Sequence, residues 1–282
     1  MAEEMTADAK TVIFLHIPKT AGSTLLRIIE RQYDPSEIYS LYLRQDFQAF
    51  DSLAEAQKEE IRIYRGHVIF GWDQCLPQPA TYFTILRDPV ERAISNYYFT
   101  RTYEDHHHYD LIHSQNLSLA AYLESKEELM MDNGQTRMLS GGYYTMDYGE
   151  LSREALEAAK ANLRDNIEVV GLTGRFDETL LLLKKAFGWG NVFYARQNVV
   201  RKRPHRDQLS ADTLAVIHKY NQLDMELYQF ATTLFEEQVR KQGASFAEEV
   251  RSFRRANRLL SWPIRVQWLM QGASIRTFLE KP

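Results

Sequence analysis

The sequence predicts an α/β protein built on a central parallel sheet, and three observations carry that reading. Apolar, β-branched runs at 11–17, 61–65, 81–87, 167–173 and 191–196 alternate with stretches of helical periodicity, as strands covered on both faces by crossover helices do. The first run passes through a Lys/Thr/Gly/Ser loop straight into an amphipathic helix, TVIFLHIPKTAGSTLLRIIER. The 282 residues are 44% hydrophobic and contain no Pro/Gly/Ser-rich linker or internal repeat, so one large core is expected. The expected division is a flexible amino terminus (1–10), a main domain (11–240) and a helical extension (241–282) packed on or beside it.

The first strand and helix frame an anion cradle. Leu25, Ile28, Ile29 and Tyr33 recur at helical spacing, which places the loop 18–24 between a strand's carboxyl end and a helix's amino end. Backbone N–H groups and the positive end of the helix dipole converge there. Gly22 permits close approach, Ala21 is part of the same turn, and Lys19, Thr20, Ser23 and Thr24 add one charge and three hydroxyls. A phosphate or sulfate group is the natural guest. The lysine precedes the glycine by three residues instead of following one directly, so the nucleotide-triphosphatase pattern G-x-x-x-x-G-K-[ST] is absent. A plain turn capped by Ser23 or Thr24 is the rival explanation, and it leaves Lys19 without a purpose.

A second anion site is expected after the strand 81–87. Asp88, Pro89 and Glu91 fit N-cap, N1 and N3 of a new helix, so Arg87 stands at a strand's carboxyl end, where ligands of open α/β sheets bind. Ser95 lies about two helical turns beyond the cap and can face the guanidinium. Together they could hold a second phosphate.

These residues resemble the sulfotransferases that use 3′-phosphoadenosine 5′-phosphosulfate, in particular the heparan sulfate 2-O and 6-O sulfotransferase-like group. HIPKTAGST is similar to that family's 5′-phosphosulfate loop and ILRDPVERAISNYYF to its 3′-phosphate motif. The likeness continues through RGHVIFG, DNGQTRMLSG, VGLTGRFDETLLLL and LDMELYQFA. It implies a P-loop-hydrolase-like three-layer fold with the acceptor side built from insertions around 35–60 and 100–150. It also implies His67 as the base that takes the acceptor proton. The 2-O enzymes carry two histidines flanking a glycine, whereas this chain has Arg65, Gly66 and His67. His16, one residue before the loop, is the runner-up base. Arg201 and Arg203, in a basic loop with Arg196, Lys202 and Arg206, are expected to close over the nucleotide. Arg65, Asn133, Gln135 and Arg137 are expected on the acceptor side.

Lys19 is expected to meet the charge that builds on the departing nucleotide, a kind of preorganised donor worth about 100- to 1000-fold in rate. The sulfuryl group carries less charge than a phosphoryl group, so no metal is required, in contrast to kinases. The triplet His106–His108 finds no Cys, Asp or Glu spacing to complete a tetrahedral site, and Cys75, the only cysteine, excludes an intrachain disulfide.

The balance of 34 basic and 38 acidic side chains, net −4, argues against global attraction to nucleic acid or another polyanion. No apolar run approaches a membrane span and MAEEMTADAK resembles no signal peptide. The expectation is a soluble, cytoplasmic enzyme, a bacterial relative of anchored glycan sulfotransferases or a trimmed chain. The segment 251–265 holds five arginines and no acid, and 251–270 is a candidate for weak contact with a membrane surface, weakened by Pro263. The reading is therefore sulfuryl transfer to a hydroxyl of a carbohydrate or glycosylated metabolite. A P-loop kinase-like enzyme and a catalytically silent nucleotide-binding assembly protein are its rivals.

Overall fold

Five parallel strands form the centre of the molecule in the computed structural model, which describes residues 10–142, 146–195 and 203–270. They are β1 (Thr11–Leu15), β2 (Ile38–Leu41), β3 (Ile63–Gly66), β4 (Ala80–Leu86) and β5 (Ile167–Leu172), in the order β2-β3-β1-β4-β5. Val12 pairs with Ile63 on one side and Thr81 on the other, and Leu15 with Gly66 and Thr84. Every residue of β1 is buried, so both faces of the sheet are covered and the fold has the three-layer α/β form expected. Because β1, β3 and β4 are neighbours running the same way, the loops after them open side by side along one edge.

Helix α1 (Gly22–Ile29) follows β1, while α2 (Arg44–Asp51) and α3 (Glu55–Glu59) join β2 to β3. Helix α4 (Pro89–Thr102) leaves β4, and α5 (Tyr109–Ser114), α6 (Leu119–Glu124), α7 (Gly134–Ser140) and α8 (Arg153–Asp165) precede β5. Helix α9 (Phe176–Phe187) follows β5, and α10 (Ala211–Tyr220), α11 (Gln222–Lys241) and α12 (Phe246–Met270) come last. The insertion after β4 buries its own apolar cluster, in which Ile94 and Tyr97 of α4 meet Ile112, Tyr122, Leu123 and Ile217.

Two expectations about strands are corrected. The segment 35–60, read as an acceptor-side insertion, contributes β2 to the sheet. That strand is four residues long and only Leu41 is fully buried, so its apolar signal is weak. Conversely, the described part of 191–196, residues 191–195, forms no strand. Its backbone is satisfied by side chains instead: Arg31 donates to the Phe193 carbonyl at 2.6 Å and Tyr194 N donates to Asn257 at 2.7 Å. The outer edge of β5, where another strand would pair, is met by Gln238 of α11, which accepts from Val170 N at 3.2 Å and donates to the Glu168 carbonyl at 3.2 Å.

Helix α12 packs its first half on α9. Phe246, Val250 and Phe253 are buried, Lys185 pairs with Glu249 at 2.8 Å, and Arg254 reaches Asp177 at 3.0 Å. The helix continues through Pro263 to Met270. Among the described residues no helix is long and apolar enough to cross a membrane.

Candidate active site

The loop between β1 and α1 is held in a shape that few side chains tolerate. Lys19 and Ala21 both have left-handed backbones, with φ of 71° and 72°, a conformation that costs a non-glycine residue of order 1 kcal/mol and is concentrated at functional sites. Thr20 is fully buried and its hydroxyl donates to the Ile17 carbonyl at 2.8 Å, bracing the turn from within. Helix α1 begins at Gly22 with no side-chain cap and no acid in its first turn. Its positive end is thus left for an outside anion.

Three cations gather over this helix start. Lys19 places its ammonium 3.5 Å from the centre of the Phe99 ring, and burial, followed by the fields of Arg87 and Arg203, lowers its pKa to about 7. Arg87, at the end of β4, donates from Nη1 to the Lys19 carbonyl at 3.0 Å. Burial first and Arg203 second bring its pKa down to about 10, against the opposing pull of Glu91. Arg87 and Arg203 share that single carboxylate at 3.4 and 3.1 Å. Cations that depress one another around one acid are arranged to receive a further negative charge.

The second motif has the local structure expected. Asp88 caps α4 by accepting from Glu91 N at 3.0 Å, with Pro89 at the first helical position. Glu91, Ser95 and Phe99 recur at four-residue spacing on α4 and so share a face. Glu91 touches Arg87 and Phe99 touches Lys19, which leaves half-buried Ser95 one turn from each.

Two imidazoles stand behind the lysine. His67 follows β3, and its backbone N–H donates to the Leu41 carbonyl at 2.9 Å. Its ring lies 5.1 Å from that of His16 and 4.9 Å from that of Tyr42, centre to centre, and makes no hydrogen bond to a described residue. Burial and the Lys19 charge hold its pKa at about 4, so the ring is neutral at pH 7. His16 is also held well below the ordinary value, by burial first and then His67, but its Nδ1 is engaged with the Tyr42 hydroxyl at 3.2 Å. Its ring fills the space beside Gly22, where an added Cβ would lie 1.7 Å from Nε2. The glycine is therefore needed to admit His16, a closer constraint than the ligand approach inferred from sequence.

With two separated motifs converging on one cationic pocket, the likeness to known proteins becomes specific. The galactose-3-O-sulfotransferase family model matches residues 3–279. The chain belongs to this family. It is 26% identical to human galactosylceramide sulfotransferase, over 88% of this chain and 62% of that protein, and thus spans less than two thirds of that relative's length. It is 24% identical to the heparan sulfate 2-O-sulfotransferase hst-2 of Caenorhabditis elegans, over 86% of this chain and 84% of that protein. Mouse sulfotransferase SULT7A1 complexed with PAP aligns over 76% of this chain and 65% of that one, at 14% identity and a TM-score of 0.38, a loose likeness.

Within this member of the galactose-3-O-sulfotransferase family, several residues assigned to the acceptor side have other work. Arg65 turns its guanidinium inward, to Ser40 at 3.0 Å, Glu30 at 3.1 Å and the Leu26 carbonyl at 3.3 Å, tying β3 to β2 and α1. Arg137 is fully buried and pairs with Asp132 while donating to the Met146 and Asp147 carbonyls. Asn133 accepts from Leu223 N and Asp224 N at 2.9 and 3.1 Å, covering the start of α11. These contacts engage all three side chains within the fold. Gln135 is also fully buried, and it braces Arg87: its amide accepts from Arg87 N and donates to Arg87 O, both at 2.9 Å. Arg201 lies outside the described residues. Phe99 and Tyr42 were not singled out from the sequence; the four-residue spacing from Glu91 could have found Phe99, whereas nothing around Tyr42 marks it.

Proposed function

We propose that this chain transfers a sulfuryl group from 3′-phosphoadenosine 5′-phosphosulfate to a hydroxyl of a carbohydrate or glycolipid. The observation that carries the reading is the 3.0 Å bond from Arg87 to the Lys19 carbonyl, which makes one pocket of two motifs far apart in sequence. The donor supplies a sulfur whose bond to the bridging phosphate oxygen breaks as its bond to the acceptor oxygen forms. Lys19 and the uncapped start of α1 meet the negative charge left on that phosphate. Arg87, Arg203 and Ser95 bind the ribose 3′-phosphate, and Gln135 fixes the backbone from which Arg87 projects. His67, neutral and with no partner for its ring nitrogens among the described residues, takes the acceptor proton. His16 packs against Gly22 and Tyr42 and orients the pocket.

The acceptor class follows from what the relatives are named for, galactosylceramide and heparan sulfate, together with the modest net charge of −4, which favours a neutral galactoside over a polyanion. Incubation with radiolabelled donor and a panel of β-galactosides, galactosylceramide and desulfated heparan tests it directly. Transfer to a galactosyl hydroxyl is the expected result. Labelled donor that stays intact with every hydroxyl acceptor, in protein that binds adenosine 3′,5′-bisphosphate, would favour the silent nucleotide-binding reading.

A further inference from the structure

The three histidines after α4 lie outside the chemistry above. His106, His107 and His108 sit in an irregular turn, not in a helix or strand, so their rings are free of the regular geometry that keeps adjacent histidines apart. The His106 and His107 rings stack at 4.4 Å, and the His108 ring lies tilted 4.1 Å from that of His107. Folding brings a carboxylate to them that no local spacing announces: Glu128, at the turn before residues 129–131, places an oxygen 3.7 Å from His107 Nε2 and 3.7 Å from His108 Nδ1. One ligand atom each from His106, His107 and Glu128 lie within 4.8 Å of one another.

We propose that His106, His107 and Glu128 form a binding site for a divalent transition cation of the zinc class. Two imidazoles and a carboxylate are a donor set that zinc accepts, with a fourth position left to water. Zinc–nitrogen and zinc–oxygen bonds of about 2.0–2.2 Å place neighbouring ligands roughly 3.3 Å apart, so closing the site requires a contraction of up to about 1.5 Å, within reach of side-chain rotation on a turn. Binding would also exchange the 3.2 Å bond that His106 Nδ1 accepts from His108 N. Glu128 is already oriented by accepting from Met130 N at 3.1 Å, and His108, bonded to the Tyr122 hydroxyl at 2.8 Å, backs the cluster. Such outer contacts hold ligands in place.

The site would fasten the turn after α4 to the turn after α6. That matters for the pocket because His106 meets Phe99 edge-on at 5.8 Å, and Phe99 is the ring on which the Lys19 ammonium rests. The cation is thus a clamp on one wall of the pocket, separate from the transfer step.

Equilibrium dialysis of tag-free protein against buffered zinc tests the assignment, with metal counted by mass spectrometry and cobalt(II) absorption as a second readout. We expect one equivalent bound at saturation. Affinity should fall at least about 10-fold in His107→Ala, whose ring is 69% exposed, and in Glu128→Gln, which keeps the acceptor for Met130 N. His218→Ala, removing an exposed histidine on α10, should leave affinity unchanged. Absence of saturable binding near one equivalent, or equal affinity in His107→Ala and Glu128→Gln, would overturn the site. So would an equal loss in His218→Ala.

Discussion

Lys19 combines an unfavourable backbone, φ 71°, with a buried ammonium, a pairing that makes sense only if an anion offsets both. Its pKa of about 7 and the value of about 4 at His67 give a signed prediction. On the proposed mechanism the free enzyme needs a neutral His67 and a charged Lys19, so kcat/KM should be bell-shaped, rising through about pH 4 and falling through about pH 7. A bound anion favours the protonated form of both groups, so both limbs of the kcat profile should move upward. A pH–rate series on wild type and His67→Gln measures this, and loss of the acid limb in the variant is expected. Lys19→Ala should lower kcat by about 100- to 1000-fold with a smaller change in donor affinity, because the charge it meets develops during transfer. Single-turnover rates and calorimetry separate the two effects. The sequence made Lys19 and Arg87 legible because charge at a strand's carboxyl end has few structural uses. It could not disclose that Arg65 and Arg137 face inward, since a guanidinium in a motif reads the same whether its partner is a ligand or a buried carbonyl.

At the scale of elements, the joint between β1 and α1 rests on one steric fit. The His16 ring occupies the place of a Gly22 side chain, at 1.7 Å from an added Cβ, so Gly22→Ala must displace the ring or the helix start. Overpacking of this kind typically costs about 1–3 kcal/mol. The double variant His16→Ala/Gly22→Ala should recover most of that loss, and thermal melts of the four proteins of the cycle check it. Strictly additive losses would show that His16 is not the obstacle. The strand–loop–helix joint was readable because its apolar period changes abruptly across a polar loop. Strand β2 was not, since a four-residue, half-exposed strand leaves almost no pattern. The described part of the run 191–196, residues 191–195, misled for the opposite reason: it has strand composition, but its backbone bonds to the side chains of Arg31 and Asn257 and not to a strand. The segment 132–139, expected on the acceptor side, is a buried hub, where Asp224 accepts from Gln135 N at 3.1 Å and Thr136 N at 2.7 Å. Those partners are about 90 residues away in the chain, beyond any local reading; the prediction is that Asp224→Ala, by stranding these buried donors, destabilises the fold by roughly 1–3 kcal/mol or more, measurable by urea unfolding.

For the molecule as a whole, anion binding and acid stability are linked. His16 and His67 are held below the ordinary histidine value by burial, so between about pH 6.5 and pH 4 the unfolded chain takes up protons that the folded chain refuses. Stability should therefore fall on acidification through that window and return as pH rises, read as a lower melting temperature at pH 5 than at pH 7. A phosphate-bearing ligand, which favours folded protein by mass action, should raise both temperatures. The three-layer form of the fold and the parallel sense of its sheet were legible, because alternating strands and crossover helices admit few other arrangements. On the proposed mechanism one cationic pocket recognises two separate phosphates. Calorimetry without magnesium, comparing adenosine 3′,5′-bisphosphate with adenosine 5′-monophosphate, 5′-diphosphate and ATP, tests it most directly. Clear preference for the bisphosphate, lost in Arg87→Ala, is expected. Equal binding of all four, or preference for ATP, would contradict it and turn attention to a kinase-like enzyme.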